Sequence, residues 1–291
     1  MGVPFEDNLT RFVFERAAVR GAVVSLDVAY RDILACHPYP SAIQRVIGET
    51  LAAVCLLANS LKFDGSLILQ FHGGGALRLL VVECSAALEL RATAQWTGDV
   101  PDDAPLSDLA GDARTSRMVL TLDPKDGSPL YQGVVALEGG SISQLFEHYL
   151  AKSEQIESRL WLRARSGRAR GVLLQRMPAS SVSDTDTWIR ASKAIDATSR
   201  LFDADDAHEA LAALFSADDV RAFRPCRPRF ACSCSRQRVE AALRLLGTAE
   251  VESILAERGM VGVDCEFCNR RYEFAAAEAR ALFAAADPVA H

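Results

Sequence analysis

"RFACSCSRQRVE", residues 229–240, and "VDCEFCNRRYEF", residues 263–274, hold four of the chain's 8 cysteines. Cys232 and Cys234 are one residue apart, and Cys265 and Cys268 are two apart. Paired spacing lets one turn present two sulfurs to one ion, and four thiolates are a donor set that zinc takes in tetrahedral sites. Two other readings stay open: a metal-free dithiol redox site, and four unrelated core cysteines. At such short spacing the α-carbons lie near the range a disulfide spans, so each pair can act as a metal clip when reduced or a local disulfide when oxidised. Metal-bound thiolates are already deprotonated and open to an oxidant that can reach them. Arg227, Arg229, Arg236, Arg238, Arg270 and Arg271 surround the pairs. They either favour thiolate or form a solvated basic edge.

Working outward, residues 225–291 form a small unit around the cysteines. Its pattern predicts a helix over about 236–246 that buries Val239, Leu243 and Leu246 and stops at Gly247. A second helix follows over 249–258, with Glu250 and Glu252 early and Gly259 beyond its end. "MVGVD" and "RRYEF" read as short strands bracketing the second pair. A unit of this size has a marginal apolar core, whereas structural zinc contributes roughly 10–16 kcal/mol coupled to folding. Two local disulfides close very short loops and constrain little else. Oxidation with loss of the metal is therefore expected to unfold this unit.

Upstream, "RPCRPRF" (224–230) is a joint, and the small polar stretch "PASSVSDTDT" (178–187) reads as a boundary. Between them lies a helical linker, 179–224. One apolar stripe carries Trp188, Ala191, Ile195 and Phe202. A second carries Leu211, Leu214 and Phe215 behind a capping pair, Asp206 and Glu209. With many Ala and Asp residues, these helices are marginal unless they dock on a neighbour. Trp188, Ile195, Leu201, Phe202, Leu211, Leu214 and Phe215 are candidate binding residues should the linker open; docking on the N-terminal sheet is the plainer reading, and both can hold.

Residues 1–178 alternate strand and helix patterns, giving an α+β domain on a mixed or antiparallel sheet. "VRGAVVSLDVAY" (19–30) reads as a strand or hairpin, and 41–62 as a helix behind Ser41. "SLILQF" and "ALRLLVVEC" are strands joined at His72-Gly73-Gly74-Gly75. "LYQGVVALEG" is a strand, "SISQLFEHYLAKSEQ" a helix begun by Ser141, and "RLWLRARSGRARGVLLQRMP" a hairpin turning near Ser166-Gly167.

The 291 residues are 49% hydrophobic and 24% charged, with net charge −6, which argues against gripping nucleic acid by phosphate neutralisation. "MGVPFEDNLTRFVFER" lacks an apolar core, so no signal peptide is expected. "LAAVCLLANSL" (51–61) is too short to span a bilayer. A reducing, cytosolic setting follows, in which close cysteine pairs mean metal or redox chemistry. "FHGGGALRLL" lacks the helix, Lys and Ser/Thr of a phosphate loop. His72 and His148 have no nucleophile motif beside them, and no enzyme is expected. Cys36, Cys55 and Cys84 read as small core residues, and Ser153-Glu154-Gln155 as packing or capping. A constitutive zinc module binding nucleic acid through its local arginines is the main rival function. A thiol–disulfide oxidoreductase using Cys265 and Cys268 is a third, without a visible thioredoxin-like setting.

The chain resembles the heat-shock protein 33 family, redox-regulated, zinc-containing bacterial holdases, almost from end to end. "RFACSCSRQRVEAALRLLG" with "CEFCNRRYEF" carries the most specific part. "VRGAVVSL", "HPYPSAIQRVIGETLAA", "LKFDGSLILQFHGGG", "YQGVVALEGGSISQLFEHYLAKSEQ" and "GVLLQRMP" carry the rest. The resemblance implies one zinc per chain held by Cys232, Cys234, Cys265 and Cys268 in an inactive reduced form. Oxidation would form Cys232–Cys234 and Cys265–Cys268 disulfides, release zinc, unfold the tail and linker, and favour a homodimer that holds unfolding proteins without ATP. Three features depart from the family pattern: Gly74 between glycines where an acidic residue is usual, Ala179 where glycine is common, and the extra thiol Cys226.

Overall fold

The run Val19–Leu26 is buried along nearly its whole length, as happens when both faces of a sheet are covered. The computed structural model describes residues 7–60, 64–112, 114–137, 140–178, 182–204 and 207–284. The chain divides into two compact units, Met1–Ala231 and Cys232–His291.

Unit 1 opens with β1 (Asn8–Phe14), β2 (Val19–Leu26), α1 (Val28–Leu34) and the long helix α2 (Ser41–Ser60). β3 (Ser66–His72), β4 (Leu77–Ser85), β5 (Glu89–Trp96), α3 (Leu106–Ala110), β6 (Arg117–Asp123) and β7 (Tyr131–Ala136) follow. Next come α4 (Ile142–Tyr149), β8 (Glu157–Arg165) and β9 (Arg168–Arg176). The linker region supplies α5 (Val182–Asp196), α6 (Arg200–Asp203), α7 (Ala207–Leu214), β10 (Val220–Ala222) and β11 (Arg229–Phe230). These strands build a five-stranded sheet, β10-β1-β2-β9-β8, and a six-stranded sheet, β11-β5-β4-β3-β6-β7. Pairing is antiparallel except between β11 and β5.

Helix α2 lies between the sheets, against β2, β8 and β9 on one side and β3, β4 and β5 on the other. Its apolar residues therefore run almost all round, as expected of a buried helix. By length and composition α2 is apolar enough to cross a membrane, but 78% of its most apolar window is buried within the protein. Gly48 permits close approach: a β-carbon there would lie 2.6 Å from Ala164 and 2.8 Å from the Tyr30 ring.

The five-stranded sheet alternates sides cleanly, as strand geometry requires. Ala22, Val24, Ala169 and Leu173 face the α2 core. Phe12, Phe14, Val23, Val172 and Leu174 face the opposite way, against Trp188, Ala191, Ile195, Leu201, Leu211 and Phe215 of the linker segment. The linker helices thus cover the outer face of this sheet. The buried Asp184 carboxylate also accepts the Ala18 N–H at 2.8 Å.

Several expectations need correction. "PASSVSDTDT" carries no break across its second half, because α5 begins at Val182 within it and Asp184 finds a backbone donor. Three helices rather than two occupy the linker among the described residues; Asp206, the expected cap, lies outside them. The first unit extends through 231, past the expected joint, since Cys226 exchanges two 2.9 Å backbone hydrogen bonds with Leu9 and β11 pairs with β5. The predicted strand over 19–30 turns helical at Val28, because the buried Asp7 carboxylate accepts the N–H groups of Asp27, Val28 and Ala29 at 2.5–2.8 Å. Cys55 and Cys84 are core residues, but Cys36 is half-exposed. The N–H groups of Gly73, Gly74 and Gly75 are all satisfied internally, by Arg78, Ser116 and Ala110.

Unit 2 contains α8 (Arg236–Leu246), α9 (Thr248–Arg258), the antiparallel pair β12 (Met260–Asp264) and β13 (Arg271–Ala275), and α10 (Ala276–Ala284). Its small core is Leu243, Val251, Leu255, Val261, Tyr272, Phe274 and Ala279. Leu246, expected in that core, is 51% exposed at the last turn of α8, and Val239 is only half-buried.

Candidate metal centre

Cys232 and Cys234 stand in the extended segment just before α8. Ser235 caps that helix, its hydroxyl accepting the Arg238 N–H at 3.2 Å, so the chain direction is fixed immediately after the second sulfur. Between the cysteines, Ser233 accepts a 2.6 Å bond from the Arg238 guanidinium. Cys265 and Cys268 sit in the turn joining β12 to β13. There Cys265 N–H donates to Arg270 O at 3.0 Å and Asn269 N–H donates to Cys265 O at 2.8 Å. Asn269 adopts φ of 55°, a left-handed conformation that asparagine tolerates better than most residues.

The two turns bring all four sulfurs within 4.8 Å of one another, each half-buried. Cys232 and Cys265 sulfurs are 3.7 Å apart, and Cys234 and Cys268 are 3.4 Å apart. With metal–sulfur bonds of about 2.3 Å, a tetrahedral tetrathiolate centre requires sulfur–sulfur edges of about 3.8 Å. The donor set and its spacing therefore fit a metal ion.

The electrostatics differ from thiol to thiol. Burial raises the Cys232 and Cys268 thiols above the ordinary cysteine range. Burial also acts against Cys234, but hydrogen bonds from the Tyr272 hydroxyl, at 3.1 Å, and from neighbouring thiols outweigh it and bring Cys234 down to about 7. Tyr272 is the residue sequence reading missed: strand alternation from Phe274 placed it inside, but nothing in the pattern aimed its hydroxyl at a sulfur. Of the nearby arginines, Arg270 faces the Tyr272 hydroxyl and the Cys234 and Cys268 thiols. Arg236 instead lies 4.2 Å over the Phe274 ring and pairs with Glu278, and Arg271 pairs with Asp264 and Glu273.

The linker candidates lie in unit 1. Trp188, Ile195, Leu201, Leu211 and Phe215 are buried against the five-stranded sheet, while Phe202 and Leu214 are half-buried at its margin.

Comparison with known proteins agrees with this architecture. Residues 7–275 match the family profile described as "Hsp33 protein". A 33 kDa chaperonin of Methylobacillus flagellatus is 42% identical over 281 residues, covering 95% of this chain and 94% of that one. One of Chromobacterium violaceum is 43% identical over 289 residues, covering 97% and 96%. The crystal structure of the 33 kDa chaperonin (heat shock protein 33 homolog) from Thermotoga maritima superposes with a TM-score of 0.79. It covers 95% of this chain and 98% of that one at 21% identity, a likeness of fold. The chain belongs to the Hsp33 protein family.

Proposed function

We propose that the four thiols hold one zinc ion per chain in the reduced protein, and that the chain is a redox-switched, ATP-independent holdase of a reducing cytoplasm, acting under oxidative and heat stress. The observation that carries this reading is the convergence of four sulfurs within 4.8 Å on two turns, in a unit whose buried core comprises seven residues among those described. When bound, the ion supplies the cross-link between the turns, worth roughly 10–16 kcal/mol coupled to folding.

The switch is thiol chemistry. Two equivalents of a hydroperoxide oxidise the four thiolates to two disulfides; each takes two electrons and, with two protons from solvent, leaves as two waters or as one alcohol and one water, and the ion loses its donors. Without the ion, hydrogen bonds from the Tyr272 hydroxyl and the neighbouring thiols outweigh burial and favour Cys234 as the thiolate. Cys232–Cys234 and Cys265–Cys268 are the proposed pairs. The folded unit also brings sulfurs together across the turns. Once the unit opens, however, only partners one or two residues away stay within reach, which favours the local pairing.

Unfolding reaches the linker through the chain itself, which runs from α7 through 215–231 to Cys232. Undocking of α5–α7 bares two matching apolar surfaces. One is the linker stripe of Trp188, Ile195, Phe202, Leu211, Leu214 and Phe215, and the other is the sheet face of Phe12, Phe14, Val23, Val172 and Leu174. Surfaces of this kind bind unfolding clients, and two copies can associate through them.

Zinc content of reduced protein, followed by mapping of disulfides after peroxide treatment, tests the proposal. One zinc per chain and the two local disulfides are expected. A protein purified reduced without metal, or cross-turn disulfides only, would count against it.

A further inference from the structure

The hairpin β8–β9 carries the sequence "RARSGRAR" at 163–170. Ser166 and Gly167 both have positive φ, 54° and 71°, the pattern of a tight two-residue turn. In that register Arg163 stands directly opposite Arg170, and Arg165 opposite Arg168. By the two-residue period of a strand all four share one face. Like charges placed directly across a sheet repel, so this square of guanidinium groups needs an answering charge.

The square borders a cleft of about 970 Å³ that Arg45 and Glu49 of α2 and Phe202 and Asp203 of α6 also line. The protein answers part of the charge, and Arg168 has a partner of its own. Arg170 is buried in a two-pronged pair with Asp27, at 2.5 and 2.9 Å, yet its Nε, also buried, has no hydrogen-bond partner among the described residues. Arg163 pairs with Asp203 at 3.1 Å and lies 4.8 Å over the Phe202 ring. Arg165 is exposed and has no carboxylate partner among the described residues. Arg45 donates to backbone carbonyls of Asp102 and Ala104 rather than to a carboxylate. Burial raises Glu49, so near neutrality it opposes this positive field only in part.

We propose that this cleft binds a polyvalent phosphate anion, either the triphosphate of a nucleotide or a short inorganic polyphosphate, across Arg45, Arg163, Arg165 and Arg168. Guanidinium forks match phosphate oxygens two at a time. Successive same-face arginines on one strand are separated by about 7 Å, a span that a chain of phosphates covers and a single phosphate does not. Arg163 is also the tie between the hairpin and α6. An anion that takes Arg163 competes with Asp203, which loosens that turn of the linker without any cysteine chemistry. Binding itself does not depend on the zinc reading.

Isothermal titration of the reduced full-length protein with tripolyphosphate, ATP without magnesium, and sulfate, all at one ionic strength, tests this. One tripolyphosphate per chain is expected, at least tenfold tighter than sulfate. It should weaken at least tenfold in the Arg165→Ala/Arg168→Ala variant, whose melting temperature is checked in parallel. ATP as tight as tripolyphosphate assigns a nucleotide; weaker ATP assigns free polyphosphate. Hydrogen exchange at 200–203 should rise on saturation. Sulfate binding equal to tripolyphosphate, or a double variant that binds like the parent, overturns the site. Binding with exchange at 200–203 unchanged overturns the competition for Arg163.

Discussion

Replacing Ile195 by alanine removes one of the most deeply buried side chains in the linker, 1% exposed and packed in the cluster with Phe12, Phe14 and Val172. A buried isoleucine truncated to alanine costs about 2–5 kcal/mol, the lost transfer energy plus the cavity left behind. The loss falls on the docking of α5 against the sheet, so it lowers the free energy of local opening. At about 1.4 kcal/mol per factor of ten, protection from hydrogen exchange in residues 182–214 should drop roughly thirtyfold or more in the reduced protein. Strands β2 and β9 are also held by α2 from the other face and should keep most of theirs. Ile189, on the same helix but 44% exposed, is the control: Ile189→Ala should change protection by no more than about 0.5 kcal/mol. Under the proposed function Ile195→Ala also raises suppression of client aggregation before any oxidant is added. Unchanged exchange over 182–214, or equal loss throughout the sheet, would refute the idea that the linker opens as its own unit.

Three further perturbations follow from the fold. Burial raises the Glu49 carboxyl from 4.5 to about 7, with Arg45 opposing only in part. The folded state then holds the proton more tightly than the unfolded state, so the contribution of Glu49 to stability is greatest below pH 4.5 and is lost as pH rises through 7, by about 3 kcal/mol in all. Denaturant midpoints at pH 4.5 and 8 should differ less in Glu49→Gln; an identical difference contradicts the assignment. Asp27→Asn leaves the Arg170 charge, only 3% exposed, without its counter-charge and should cost about 3–5 kcal/mol by denaturant titration; an unmoved midpoint contradicts a buried ion pair. Cys226 belongs to the first unit and lies outside the four-sulfur group. Cys226→Ser should therefore retain one zinc per chain by chelator assay, and a halved content would place Cys226 in the metal site.

What the sequence disclosed and what it concealed divide by range. Caps and turns are local, so Ser141, Gly247, Gly259 and the Ser166-Gly167 turn were all legible. The two cysteine pairs were legible as local spacing, but the closest sulfur approaches, made across the turns, were not. Features made by distant partners were not. α1 is capped by Asp7 from twenty residues upstream, and Asp27 meets Arg170 across 143 residues. β10 and β11 carry too few residues for periodicity and are strands only because β1 and β5 offer free edges. The polar start of α5 resembled a boundary until Ala18 supplied a donor for Asp184. "RARSGRAR" read correctly as a hairpin, yet its four-arginine face appeared only with the strand register.

The central claim is that cysteine oxidation uncovers a client-binding surface. Its most direct test is light scattering from a thermally unfolding client protein, with released zinc followed by a chromogenic chelator in the same samples. Reduced, zinc-loaded protein is compared with protein treated with peroxide at mild heat. The account predicts suppression of aggregation only after oxidation, rising in step with zinc release towards one equivalent per chain. Zinc release with the client still aggregating, or equal suppression by the reduced protein, would contradict it.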